Sequence, residues 1–236
     1  MSAAQALTLA ASAAQKVNSF AAALTVSSSG ALATHISGSL EEQVRPTLLA
    51  SEKLSLTSQG TAVPGGIQAL LTGNAIYMKM STLAKLLGKP WVKIPFSSLK
   101  KRTGVSLAPL IHQLQGNNPL AQAQMLRAAS NVHEVGSATV GGVSTTEYAG
   151  TLDIAKSLAK LDPSLRKLVG PAMEATGITT ANFHVWVDGQ HQVRKLTESE
   201  HGNGTSFTTV MTITSINQPV HITPPPASQV AGLPGM

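Results

Sequence analysis

The chain has 236 residues, a formal net charge of +6 and no cysteine, which excludes disulfides, thiolate metal sites and cysteine nucleophiles. Charged residues make up only 12% of it and aromatic residues 3%, so Ser, Thr, Gln, Asn and Gly must supply the polar surface, and any cavity is walled by aliphatic side chains suited to flexible alkyl groups. No stretch is long and apolar enough to cross a bilayer as a helix, and Met1 to Val17 lacks the basic start and continuous apolar core of a signal peptide.

Residues 3–17 are alanine-rich, with Leu7, Leu9 and Val17 as larger apolar residues and Ser2 placed as an N-cap, which predicts a first helix. Three amphipathic strands follow. In Asn18 to Ser28 the residues Phe20, Ala22, Leu24 and Val26 share one face; in Ala31 to Leu40 it is Leu32, Ile36 and Leu40; in Leu48 to Ser58 it is Leu54 and Leu56. Short polar turns join them, so an antiparallel meander is expected. Glu41-Glu42 falls at a turn and reads as solvated. Gly65 to Lys79 continues the run through a Gly73-Asn74 hairpin. Here Ile76, Met78 and Met80 alternate with Ala75, Tyr77 and Lys79. Ser81 to Leu87 is a short helix with Leu83, Leu86 and Leu87 at helical spacing, Gly88 as its stop and Pro90 beyond; Pro90 to Pro95 is strand again.

From Ser97 to Ala129 the spacing of Leu110, Leu114 and Met125 with other apolar residues predicts helices. Asn131 to Leu152 reads as a hairpin about Gly141-Gly142. Helices follow at Ile154 to Leu161 and Pro163 to Ala175. A second hairpin turns at Asp188-Gly189, with Trp186 opposite His191 and His184 opposite Val193, and Thr205 to Ile216 is a last strand. The proline-rich tail from Pro224 is expected to hang loose. Helices grouped in two insertions, rather than alternating with strands, predict an α+β fold: one large curved antiparallel sheet, a half-barrel, with helices packed on its concave face. A single domain over residues 1–226 and a flexible tail over 227–236 are expected.

No Asp or Glu lies between Glu52 and Glu134, whereas Lys53, Lys79, Lys85, Lys89, Lys93, Lys100, Lys101, Arg102 and Arg127 do. Such a span attracts anionic surfaces. Nucleic acid is disfavoured, because the basic residues are not interleaved with stacking aromatics. His184, His191 and His201 fall in one hairpin region without a metal-binding motif such as HExxH. No serine stands in a GxSxG elbow, no carboxylates are spaced for paired acid–base work, and Gly202-Asn203-Gly204 lacks the features of a phosphate loop. These patterns lead away from catalysis and from any cofactor or metal. Met78, Met80, Met125, Met173 and Met211 suit either ordinary core or the wall of an adaptable apolar cavity.

The order of elements resembles the LppX/LprAFG lipoproteins of actinobacteria, which share the LolA/LolB-like fold. The resemblance rests on YMKM at Tyr77 to Met80 followed by STLAKLLG and PWVKI, on Tyr148 to Asp153 leading into a helix, on the FHVWVDGQHQVRKL hairpin from Phe183 to Leu196, and on a final strand before a proline-rich tail. It covers residues 3–226. It implies a half-barrel over helices with an apolar cavity between, an exported protein, usually anchored by an acylated cysteine, and the carriage of lipids; the sequence departs from the pattern in lacking the cysteine and its lipobox. The expected function is a non-enzymatic lipid carrier of the cell envelope, membrane-anchored in its precursor. The candidate wall is Phe20, Leu24, Val26, Leu32, Ile36, Leu54, Leu56, Ile76, Met78, Met80, Leu83, Leu87, Leu110, Leu114 and Met125. Lys85, Lys89, Lys100, Lys101 and Arg102 are placed to meet an anionic headgroup or membrane surface. The alternatives are an envelope sensor or protein-interaction module of the same fold, and a hydrolase.

Overall fold

A computed structural model describes residues 1–30, 33–98, 129–159 and 176–232, together with 163, 166, 167, 170, 171 and 174. The first helix, α1, spans Ala3–Ala14. Its alanines bring high helix propensity, and its first turn is closed by a capping box. Gln5 N donates to Ser2 Oγ at 3.2 Å, and Ser2 N donates to Gln5 Oε1 at 2.9 Å. Ser2→Ala removes the acceptor of the otherwise orphaned Gln5 N–H and is expected to cost about 1 kcal/mol in a urea titration.

The strands are β1 (Ser19–Ser29), β2 (Thr34–Gln43), β3 (Leu49–Ser58), β4 (Thr61–Ala62), β5 (Ile67–Thr72), β6 (Ala75–Met80), β7 (Trp91–Pro95), β8 (Ser130–Val140), β9 (Val143–Asp153), β10 (Thr180–Asp188), β11 (Val193–Gly202), β12 (Thr205–Ile216) and β13 (Val230–Gly232). They form one 13-stranded open sheet in the order β13-β7-β6-β5-β3-β2-β1-β12-β11-β10-β9-β8, with β4 beside β3. Every pairing is antiparallel except β13 with β7. The meander therefore forms as its amphipathic strands predict, but β1 sits in the middle of the sheet, zipped to β12 from Phe20 opposite Ile216 to Ser29 opposite Ser206. This open antiparallel sheet with helices on one face is the α+β architecture expected from the sequence.

Two further helices are described. The helix α2 spans Ser81–Leu87 and ends at Gly88, whose φ of +67° is the left-handed cap that glycine adopts without strain. The helix α3 spans Ile154–Ala159. Its first turn is capped by Asp153, whose Oδ1 accepts from Lys156 N at 2.9 Å, and this bond holds the Asp153 carboxyl below its usual range. The helices expected within residues 99–128, and part of that over 163–175, lie outside the described residues.

Three local expectations need correction. The strand β2 runs on to Gln43, so Glu41-Glu42 is not a turn: Glu41 is exposed, and Glu42 is only 9% exposed. The second hairpin turns more widely than a two-residue loop. Asp188 Oδ1 accepts from the backbone N of Gln190 at 2.8 Å and of Gln192 at 2.9 Å, and its Oδ2 accepts from Arg194 Nε at 2.7 Å. With this buried carboxylate organising the loop, His191 takes φ +61°, and Val187 stands opposite Val193, Trp186 opposite Lys195 and His184 opposite Thr197. Trp186 therefore does not face His191, nor His184 Val193. The tail, finally, does not hang loose throughout. Beyond its prolines, a single 3-10 turn at Ala227–Gln229 leads into β13, where Val230, Ala231 and Gly232 pair with Trp91, Val92 and Lys93.

Candidate functional site

In an antiparallel sheet, directly opposed residues point to the same face, so the register shows which side chains share a surface. On one face, Leu24 opposes Gly38, which opposes Leu54, then Ile67, then Met80. In the next row Leu40 opposes Glu52, Ala69, Met78 and Val92 in turn. The following row is Phe20, Glu42, Ala50, Leu71, Ile76 and Ile94. The same face carries Met211, Leu196, Val185 and Phe183 on the far side of β1. Leu7, Ala10 and Ala14 of α1 join Phe20, Phe183, Val185 and Met211 in one buried cluster. This is therefore the inner face, the one that the first helix covers.

Cover by α1 divides the inner face in two. Phe20 is fully buried in the closed core, so of the expected wall it alone among the described residues is sealed. Leu24, Val26, Ile36, Leu54, Leu56, Ile76, Met78 and Met80 are half-buried, as are Leu83 and Leu87 of α2. Strands β1 to β6 thus bring most of the expected wall together as one continuous aliphatic surface. Leu32, Leu110, Leu114 and Met125 lie outside the described residues. Gly38 sits within this surface, where a Cβ would come 2.0 Å from the Lys53 carbonyl oxygen. No side chain fits there, so β2 and β3 approach closely and the surface dips between Leu24 and Leu54.

The inner face also holds carboxyl groups that the sequence reading did not assign. Glu42 and Glu52 are diagonal neighbours on β2 and β3, since Glu42 opposes Ala50 and Glu52 opposes Leu40. Glu42 Oε1 is buried without a hydrogen-bond partner among the described residues. Burial, then the neighbouring Glu52 carboxylate, pushes the Glu42 carboxyl up to about 7. Farther along, Glu198 opposes Phe183 and Thr209, and Glu200 opposes Ala181 and Phe207. Burial raises both, and Glu200 adds to the effect on Glu198. Continuing the alternation Ile36, Gly38, Leu40 by one step would have placed Glu42 on the apolar face.

The outer face has the opposite character. Lys53, Gln68 and Lys79 form one row across β3, β5 and β6, and Tyr77 opposes Lys93. Lys79 Nζ lies 5.9 Å from the Trp91 ring centroid and Lys93 Nζ 5.7 Å from that of Tyr77, within reach of cation–π attraction. Lys195 Nζ stands 4.3 Å over Trp186, which stacks with His184, and His184 Nδ1 is 2.7 Å from Glu147 Oε1. These histidine contacts are those of an outer sheet surface. Among the described residues no group of His, Asp and Glu is arranged to hold a metal ion. Lys85 is exposed at the end of α2 beside Leu86, which is 77% exposed, and Lys89 Nζ donates to the Ser228 carbonyl. Lys100, Lys101 and Arg102 lie outside the described residues. A separate cleft of about 690 Å³ opens at α3, lined by Ile154, Leu158, Arg166, Glu174 and Ile178 among others; none of the described wall residues borders it.

An uncharacterized 31.2 kDa protein of Streptomyces griseus, from the rplA-rplJ intergenic region, is 28% identical to the chain over 169 residues, which is 70% of the chain and 55% of that protein. The chain thus spans about half the length of this relative. Among solved structures, LprF from Mycobacterium bovis matches with a TM-score of 0.61 at 16% identity, over 94% of this chain and 96% of that one. The Mycobacterium tuberculosis lipoprotein LppX matches with a TM-score of 0.53 at 17% identity, over 94% and 98%. The chain has the fold of LppX and LprF. No family model matches the sequence. The similarity in fold extends over nearly the whole chain.

Proposed function

We propose that the chain is a non-enzymatic lipid-binding protein of the cell envelope, a single domain that holds acyl chains against the inner face of its sheet. One observation carries this reading: the half-buried aliphatic surface from Leu24 to Met80, continuous with a closed core yet not sealed by α1 or α2. Monomeric proteins seldom leave a large contiguous apolar surface without a use. Acyl chains gain about 0.8 kcal/mol per buried methylene, enough for two chains to bind after ordering costs. The methionines at 78 and 80 adjust to a flexible ligand more readily than branched residues. The likeness to a lipoprotein of the same fold supports the reading and an extracytoplasmic location, with a lipid anchor on the precursor.

The outer lysines Lys53, Lys79 and Lys93, with Lys85 and exposed Leu86 at the rim, form the surface that approaches an anionic membrane. Transfer would then bring the rim of the inner face to the bilayer, with α2 as its lip. Protein purified from a lipid-containing host and sprayed under native conditions is expected to carry mass adducts of lipid that organic extraction removes. A bare chain mass, with no uptake of added lipid, overturns the proposal.

A further inference from the structure

The inner face carries a group of glutamates. Glu42, Glu52, Glu198 and Glu200 lie on this face, whereas Lys53, Lys79, Lys93 and Lys195 project to the outer face. Glu42 and Glu52 stand diagonally at the border between the closed core and the open aliphatic stretch. Glu42 is only 9% exposed, and among the described residues its Oε1 has no donor. A buried carboxylate oxygen without a partner is costly and rarely tolerated in a fold. What satisfies it must donate hydrogen bonds, and what satisfies it beside a second carboxylate does so best with positive charge.

We propose that the Glu42–Glu52 pair receives the protonated amine of a long-chain amphiphile whose alkyl chain lies along Leu54, Leu56 and Ile36. This rests on the apolar-ligand reading above and names the headgroup chemistry. An ammonium offers three donors in a compact shape. It fills the vacant acceptor of Glu42 and relieves the repulsion between the two carboxyls. The aliphatic positions next along β2 and β3 then take the chain, with the dip at Gly38 between them. An anionic headgroup at the same place would be repelled by the carboxylates. The selection runs against the whole-chain charge of +6, so a preference for cations cannot come from long-range attraction.

The test is displacement of an apolar dye at pH 8 by dodecylamine, dodecanol and dodecanoate, each below its aggregation concentration. Dodecylamine is expected to bind about tenfold or more tightly than dodecanoate, with dodecanol between them. Combining Glu42→Gln with Glu52→Gln should bring the amine close to dodecanol, whereas Glu41→Gln, which removes one carboxylate from the exposed neighbouring position, should leave the order intact. Equal affinity for amine and carboxylate, or an order that survives the double substitution, overturns the inference while dodecanol binding still upholds the apolar-ligand reading. Failure of all three to bind overturns both.

Discussion

At pH 8, Glu42→Gln is expected to raise the unfolding temperature by roughly 5–10 °C, whereas at pH 4.5 the two chains should unfold together. Burial, with Glu52 alongside, lifts the Glu42 carboxyl from 4.5 to about 7 in the folded chain. The folded state thus binds a proton that the unfolded state has released between those values. Stability is highest below the unfolded pKa and falls as pH rises towards the folded one, by about 1.4 kcal/mol per unit. The full span corresponds to ~3 kcal/mol, and residual solvent contact reduces it to ~2–3 kcal/mol. A neutral amide of the same shape removes the cost of the charge and keeps the packing. Urea titrations at the two pH values measure it directly. An equal stability change at both values would mean that Glu42 is ionised at low cost, and that its surroundings are wetter than its burial implies.

Phe183→Ala is the larger loss, about 3–5 kcal/mol at any pH. Phe183 is fully buried. It stands opposite Gly150 on β9, and a Cβ on that glycine would come 2.8 Å from Phe183 Cζ. The ring therefore fills the space that the neighbouring strand leaves by having no side chain. Its removal opens a cavity bounded by backbone, which cannot collapse to heal it. Against a typical domain stability of 5–15 kcal/mol, this brings the chain close to unfolding at 37 °C. The converse change, Gly150→Ala, forces the ring aside and should cost ~1–3 kcal/mol. A thermal melt of Phe183→Ala within ~2 °C of the parent would show that the inner core repacks around the space.

Local structure was legible wherever a local signal fixes it. The helix α2 and the strand β12 run over the residues their periodicity indicates, because glycine and proline punctuate one and the β-branched run Thr205–Ile216 defines the other. What depends on distant partners was hidden. Nothing around Phe20 distinguishes it from Leu24: both lie on one alternating face, yet in the fold Phe20 is fully buried while Leu24 stays half-buried at the edge of the core. The register at Asp188 was misjudged because Asp-Gly indicates a two-residue turn, while the carboxylate instead binds Gln190, Gln192 and Arg194 and widens the loop. Glu42 was assigned to the wrong environment because consecutive glutamates look solvated, although alternation places one inward and one outward. Period-2 patterning picks out the aliphatic residues that share the inner face; it misses the carboxyls among them, since hydropathy counts them only as polar.

The placement of β1 has a consequence for how the molecule assembles. Its two neighbours are β2, next in sequence, and β12, close to the other end; Asn18 and Asn217, which hydrogen-bond beyond the ends of this central pair, are 199 residues apart. At 5–20 residues per second, synthesis separates them by about 10–40 s. For that time the first half of the sheet exists with one long unpaired edge and an apolar face exposed, a state prone to pairing with other chains. A chain wired in this way gains from being kept unfolded until its last strand is available, and its folding rate is set by closing that longest loop rather than by any of its hairpins.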